Sequence, residues 1–347
     1  MALNLENMKI LVTGASGSLA KQILFELSNR GIKPIAHIRD SSNTEYIDTL
    51  KLEKRVADLR DEATYPTLME GIDLVIHTAA LVNFRQDRFT QFAGINTVAA
   101  VNLFKAAQKA GVKRFVHIST VAAVGGVRRR EMNKRVVDEL YLANEETEYN
   151  AGHLRIPYFM TKRAAEEELL KIYKDGPTEL VIVNPSIIAA PREDGDDRAY
   201  YKKQFNRFII PSNPIRVNIV DVRDVAKGTL LALANGKNGQ RYILGGDNIT
   251  LRELVLTMSA LLGKIPHLIR FPRGFYDMTS RFWLWLMKIT GRSRISYYPD
   301  FVKLLDFDWA FSNKKAHHEL GYRWRSIHTT LNDLLNNNFT GTWKKRY

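Results

Sequence analysis

Tyr158 and Lys162, four residues apart in this 347-residue chain, are the pair whose types and spacing could move a proton. On a helix, residues i and i+4 share a face, so the ammonium can reach past the phenol. A phenol near its usual pKa of ~10 is a slow acid and a poor base at neutral pH, and a neighbouring cation favours the phenolate. The pair therefore has the makings of a general acid–base centre. Tyr and Lys at this spacing also occur on ordinary helices, so the pair gains meaning only beside a site for a second reactant.

Such a site is written in Val12-Thr13-Gly14-Ala15-Ser16-Gly17-Ser18-Leu19-Ala20. Residues 8–12 read as a short buried strand, and 21–29 carry the apolar spacing of a helix through Ile23, Leu24 and Leu27. A glycine-rich turn between them lets a phosphate meet backbone N–H groups at a helix N-terminus. Gly14 permits the tight turn, Gly17 lets a pyrophosphate approach the backbone, and Ala20 lets helix and strand pack closely. A bare glycine pattern marks many ordinary turns, but here strand, turn and helix agree in register. A dinucleotide is the expected ligand.

The elements that must position these groups follow from the alternation of strand-like and helix-like runs. Strands are expected at 9–13, 34–38, 55–57, 74–77, 114–118 and 180–183, with helices at 20–29, 43–50, 64–70, 89–110 and 158–173. This order predicts an α/β fold, a Rossmann-type doubly wound parallel sheet, with ligands beyond the carboxyl ends of the strands. Gly14 follows the first strand, Arg39 the second, Asp58 the third, Thr78-Ala79-Ala80 the fourth and Ser119-Thr120 the fifth. After Pro185 the alternation breaks, although 217–222 and 241–244 look like returning strands. The expected division is a dinucleotide-binding domain over 1–185 with returning segments at about 215–245. A smaller, mostly helical substrate lobe would take 186–214 and 246–347.

Composition narrows the function classes. The chain has no cysteine, which removes disulfides and thiolate chemistry. None of its eight histidines pair at metal-ligand spacing, and no metal is expected. The net charge is +14, yet no helix-turn-helix, zinc finger or RNA-binding module accompanies it, so nucleic acid is not an expected partner. Residues 1–7 are interrupted by Asn4, Glu6 and Asn7 and no apolar run approaches the ~20 residues that span a bilayer, which points to a cytoplasmic protein.

Together the motifs Thr13-Gly14-Ala15-Ser16-Gly17, Val56-Ala57-Asp58-Leu59, His77-Thr78-Ala79-Ala80, Ile118-Ser119-Thr120, Tyr158-x-x-x-Lys162 and Asn184-Pro185-Ser186 resemble the extended short-chain dehydrogenase/reductases. Within them, Tyr158-Phe159-Met160-Thr161-Lys162-Arg163-Ala164-Ala165-Glu166 is similar to the dihydroflavonol reductase and cinnamoyl-CoA reductase branch. The resemblance implies that Gly14, Ser16, Gly17, Ser18 and Leu19 cradle the pyrophosphate. It further implies that Asp58 and Leu59 flank the adenine, that Thr78, Ala79 and Ala80 line the dinucleotide, and that Pro185 borders the nicotinamide pocket. Thr120, with Ser119 as fallback, would hold the carbonyl oxygen; Tyr158 would donate the proton; Lys162 would lower the tyrosine pKa and bind the nicotinamide ribose. Asn96 would be structural.

The position at the end of strand two, acidic in NAD enzymes of this type, is Ile38 here, followed by Arg39. A guanidinium suits the 2′-phosphate, so NADP is the expected cofactor and NAD the weaker alternative. The implied reaction is NADP-dependent reduction of a ketone or aldehyde on a hydrophobic small molecule, or the reverse oxidation. Rival readings are a nucleotide-sugar epimerase and a non-catalytic dinucleotide-binding regulator. Against the first, Val217 stands where those relatives carry an arginine, and 291–294 lacks their second arginine motif.

Two stretches stand outside these roles. The polar insertion at 126–150 is expected to border the substrate entrance. Residues 275–289 are helical in pattern, with Phe275, Met278, Phe282, Trp285, Leu286 and Ile289 on one stripe. The preferred reading is a buried lid over the pocket or a subunit contact, as in a homodimer; the other is a helix in peripheral contact with a membrane surface.

Overall fold

Seven short strands form one sheet, mostly apolar apart from the exposed edge strand β3: β1 Ile10–Thr13, β2 Ile35–Ile38, β3 Lys54–Val56, β4 Leu74–His77, β5 Arg114–Ile118, β6 Glu179–Pro185 and β7 Gln240–Leu244. The structure is a computed structural model that describes residues 3–82, 89–129, 141–192, 197–204, 210–211, 215–269, 271–290, 302–336 and 339. All neighbouring strands are parallel, in the order β7-β6-β5-β4-β1-β2-β3. Parallel pairing needs crossovers, and these place helices on both faces.

The period-2 alternation within each strand feeds two cores. Ile10 and Val12 meet Leu24, Ile76, Val116 and Val183 on one side, under the helices Ser18–Asn29 and Val222–Asn235. Leu11 turns the other way, toward Val75, Phe115 and Ile182, under Ala100–Lys109 and Pro157–Ile172. The winding reverses between β1 and β4, and the crevice beyond their carboxyl ends is where such sheets bind ligands.

Beyond Pro185 the chain departs from expectation in two places. Arg216–Asp221 does not return to the main sheet, because β7 already occupies the edge of β6, with Tyr242 beside Val183. It joins Ile187–Ala189 and Asp247–Thr250 in a separate three-stranded sheet. Nor does all of 246–347 form a separate lobe. The helix Lys314–Leu320 packs Ala316 and Leu320, with Tyr322 behind them, into the main core against Leu230 and Leu244. Tyr322 donates its hydroxyl to the Gly245 carbonyl at 3.0 Å. Its ring lies where a Cβ on Gly228 would come within 2.9 Å, so the bare glycine is what admits it.

The rest of the lobe is built from the small sheet and the helices Leu251–Leu261, Arg273–Thr290 and Ile327–Leu335. In the insertion, Val127–Arg128 pairs antiparallel with Phe307–Asp308, and Ala143 bridges to Phe311. Residues 130–140 of that insertion, 193–196 and 291–294 lie outside the described residues.

Three buried imidazoles sit near the carboxyl ends of β2, β4 and β5. His77 pairs directly with Thr13 and with His117 in the ladder, and its ring lies 5.4 Å from that of His117. The Gly14 N–H donates to His37 Nδ1 (3.2 Å), leaving Nε2–H to donate to the Ala57 carbonyl (3.1 Å). Burial holds His37 down to about 4 and His77 to about 3, and pushes His117 well below its ordinary range. The folded chain thus refuses protons that the unfolded chain accepts near pH 6.5. Stability is complete above that pH and is lost as pH falls below it, with each histidine adding a slope of about 1.4 kcal/mol per pH unit. Thermal unfolding followed from pH 7.5 to 5.5, above the carboxylate range, should show a steadily falling Tm. A flat Tm across that window would contradict the assignment.

Candidate active site

Gly14 turns the chain at φ +67°, and a Cβ there would lie 2.8 Å from the Ala79 Cα. No other residue brings the β1 and β4 loops this close. Gly17 caps the helix Ser18–Asn29 without a side-chain hydrogen bond, and Lys21 makes the first helical bond back to Gly17 at 2.8 Å. The amides of Ser18, Leu19 and Ala20 therefore precede the helical ladder and point out of the helix start, which suits an anion. Thr13 braces the turn: its Oγ1 lies 2.8 Å from His77 Nδ1, and its carbonyl accepts the Thr78 hydroxyl at 2.5 Å.

At the far end, Arg39 follows β2 and is exposed, its N–H donating to Ser42 Oγ at 3.0 Å. Asp58 follows β3 and is clasped by Arg60, whose Nε donates at 2.9 Å and whose second nitrogen closes the fork. Those bonds hold the Asp58 carboxyl down to about 2. Arg60 belongs to the motif that begins at Val56, but sequence reasoning gave it no role; its signal was the Asp-x-Arg spacing itself.

The Tyr158 and Lys162 pair lies on Pro157–Ile172, with Thr120 just past β5. The Thr120 hydroxyl lies beside the Tyr158 phenol, where it favours the phenolate. Lys162 Nζ donates to the Ile118 carbonyl at 2.6 Å, deep in the protein. Burial lowers the Lys162 ammonium to about 8, with Glu166 acting against that fall. The expectation that Lys162 lowers the Tyr158 pKa is corrected here: burial pushes the phenol up to about 12, and only the Thr120 hydroxyl pulls it down.

Behind this pair is a layer the sequence did not reveal. Glu166 is fully buried, one turn beyond Lys162, with Arg241 of β7 at 2.7 Å and Asn184 of β6 donating at 2.6 Å. The same Asn184 amide donates to the Thr120 carbonyl at 2.9 Å. Asn96 acts structurally, as expected. It sits in a π-helical stretch, Ala93–Ala99, accepts from the Leu81 N–H (2.7 Å), and donates to the Leu81 carbonyl (3.1 Å) and Thr161 Oγ1 (3.2 Å).

A single cleft of about 940 Å³ gathers the predicted residues. Gly14, Ser16, Gly17, Ser18 and Leu19 line it at the turn, with Arg39, Asp58 and Leu59 at one end. Thr78, Ala79 and Ala80 line one wall, and Thr120, Tyr158, Lys162 and Pro185 stand at the other end. From there it continues past Phe159, Ile215, Val217, Leu304 and Trp309, an apolar wall that sequence reasoning left blank. Trp309 is held by its indole N–H on the Leu304 carbonyl at 3.1 Å and packs edge-on to Phe159 at 5.8 Å. Arg216 is engaged elsewhere, its N–H and Nε donating to Asp308 at 2.7 and 2.5 Å.

The family model described as NAD dependent epimerase/dehydratase matches residues 10–245. The chain belongs to this family. Membership makes it an NAD(P)-dependent oxidoreductase of the extended short-chain dehydrogenase/reductase type. It is 30% identical to a putative dihydroflavonol 4-reductase of Synechocystis, over 93% of this chain and 92% of that protein. It is 29% identical to sterol demethylase protein B of Methylococcus capsulatus, over 74% and 75%. The solved structure of gox2253 superposes with a TM-score of 0.78 at 28% identity, over 97% of this chain and all of that one.

At the β1 turn, Gly14 is the position where a side chain is least tolerated. Gly14→Ala combines a strained φ with a backbone clash and should weaken dinucleotide binding about tenfold or more in calorimetric titration. Unchanged affinity would mean that the turn is not the phosphate cradle.

Proposed function

We propose that the chain reduces a ketone or aldehyde on an apolar small molecule, with NADP as its dinucleotide. The observation that carries this reading is the continuity of one cleft, lined together by the glycine turn, by Thr120, Tyr158 and Lys162, and by the Trp309–Phe159 wall. When bound, NADPH supplies hydride to a carbonyl carbon.

The chain's own residues supply the rest. Thr120 and Tyr158 line the cleft side by side, and an oxygen placed between their hydroxyls is polarised by both. A phenol held near 12 is neutral at physiological pH, so Tyr158 arrives as a proton donor, and a developing alkoxide is base enough to take that proton. Lys162, mostly charged below about pH 8, offers its ammonium to the ribose of the dinucleotide. The apolar wall excludes water from that exchange.

The choice of NADP rests on charge. Arg39 presents an exposed guanidinium after β2, while the carboxylate of Asp58 is engaged by Arg60. An epimerase of a nucleotide sugar would need a cation for the substrate diphosphate, and Arg216, next to Val217, is bound to Asp308 while Val217 faces the cleft. Relatives named for a sterol and a dihydroflavonol support a small organic molecule as the substrate.

Tyr158→Phe should leave dinucleotide affinity within a few-fold and lower kcat by about 10²–10⁴ across a panel of hydrophobic ketones and aldehydes. Turnover that survives the change would assign the proton to another group. Arg39→Asp should swing the NADPH-to-NADH preference in kcat/KM by about tenfold or more toward NADH, since a charge-assisted phosphate contact becomes a repulsion. A preference unmoved by that change would remove Arg39 as the phosphate reader.

A further inference from the structure

The helix Arg273–Thr290 turns an apolar stripe away from its own protein. Met278, Phe282, Trp285 and Ile289 are 59%, 55%, 57% and 63% exposed. At 3.6 residues per turn these four positions fall within an arc of about 60°. Tyr276 and Ser280, on the opposite side, are buried against the lobe. Phe282 and Trp285 touch, with ring centroids 5.8 Å apart, so the stripe is continuous. Among the residues of this helix whose side chains are described, none lines the cleft. No described helix is long and apolar enough to cross a membrane.

Charge decides what covers the stripe. The sequence from 264 to 294 carries Lys264, Arg270, Arg273, Arg281, Lys288, Arg292 and Arg294 against one acid, Asp277. A second copy docking through the same face would set this cationic segment against itself, because a two-fold interface is self-complementary. An anionic lipid surface neutralises it instead, and each basic residue near such a surface adds attraction. Trp and Phe on the apolar face with cations beside them is the composition of a helix lying in the interfacial plane.

We propose that Arg273–Thr290 docks the protein on an anionic membrane surface, with Met278, Phe282, Trp285 and Ile289 inserted among the lipid chains. The proposal is independent of the reaction assigned to the cleft.

The test is co-sedimentation of the full chain with vesicles of phosphatidylcholine containing about 30 mol% phosphatidylglycerol, beside vesicles of phosphatidylcholine alone. Binding to the anionic vesicles, weakening as salt is raised, is expected. The double variant Phe282→Ser, Trp285→Ser should reduce that binding about tenfold or more, since it removes two inserted aromatic groups. Both positions are solvent-exposed and outside the cleft, so circular dichroism and dinucleotide affinity should be unchanged. Absence of binding, equal binding to the neutral vesicles, or equal binding by the double variant would each overturn the proposal. So would a dimer in size-exclusion chromatography that the double variant abolishes while vesicles have no effect.

Discussion

Glu166 is a carboxylate without access to water on the helix that carries Tyr158 and Lys162, and such a charge persists only when paired and hydrogen-bonded. Its partners come from different strands, Arg241 from β7 and Asn184 from β6, and Asn184 reaches on to the backbone of Thr120. Lys162 adds a fourth tie, to Ile118 at the end of β5. The helix is thereby indexed to three adjacent strands at once. The spacing between Tyr158 and Thr120 is thus inherited from the register of the parallel sheet. Removing one member of this cluster would strand a buried charge, which costs more than the pair gains.

The sheet also explains why the phenol and the ammonium shift as they do. Both strand faces are covered, so the carboxyl ends of β4 and β5 open into a region of low polarity where every ionised form is penalised. Lys162 falls to about 8, Tyr158 rises to about 12, and His77 and His117 stay neutral for the same reason. One environment sets opposite shifts on an acid and a base, and both shifts favour the neutral form.

Much of this was legible in the chain. The glycine turn, the bounds of β1, β2, β4 and β5, and the Tyr158–Lys162 helix are local patterns, carried by apolar period and turn chemistry. What escaped depends on non-local choices. Whether Arg216–Asp221 returns to the main sheet depends on β7 taking the edge first, over 20 residues later in the chain. That Lys314–Leu320 belongs to the core rests on a missing side chain at Gly228. The direction of the Tyr158 shift was misread because spacing shows which groups are near, while burial decides which effect wins. Likewise the periodicity of 275–289 revealed an apolar stripe but not which side of the helix would face the lobe.

The π-helical stretch Ala93–Ala99 has a mechanical meaning. A turn wound with i→i+5 bonds holds one more residue than an α-turn, and that extra residue carries the carboxamide of Asn96 to where it meets Leu81 and Thr161 together. Asn96 thus works as a gauge block between the loop that follows β4 and the helix that bears the phenol. Shortening the stretch by one residue would rewind it to the α form and swing the carboxamide about 100° around the axis, out of reach of both. Length, more than composition, is what such a spacer demands, and insertions or deletions here would detune the cleft from a distance.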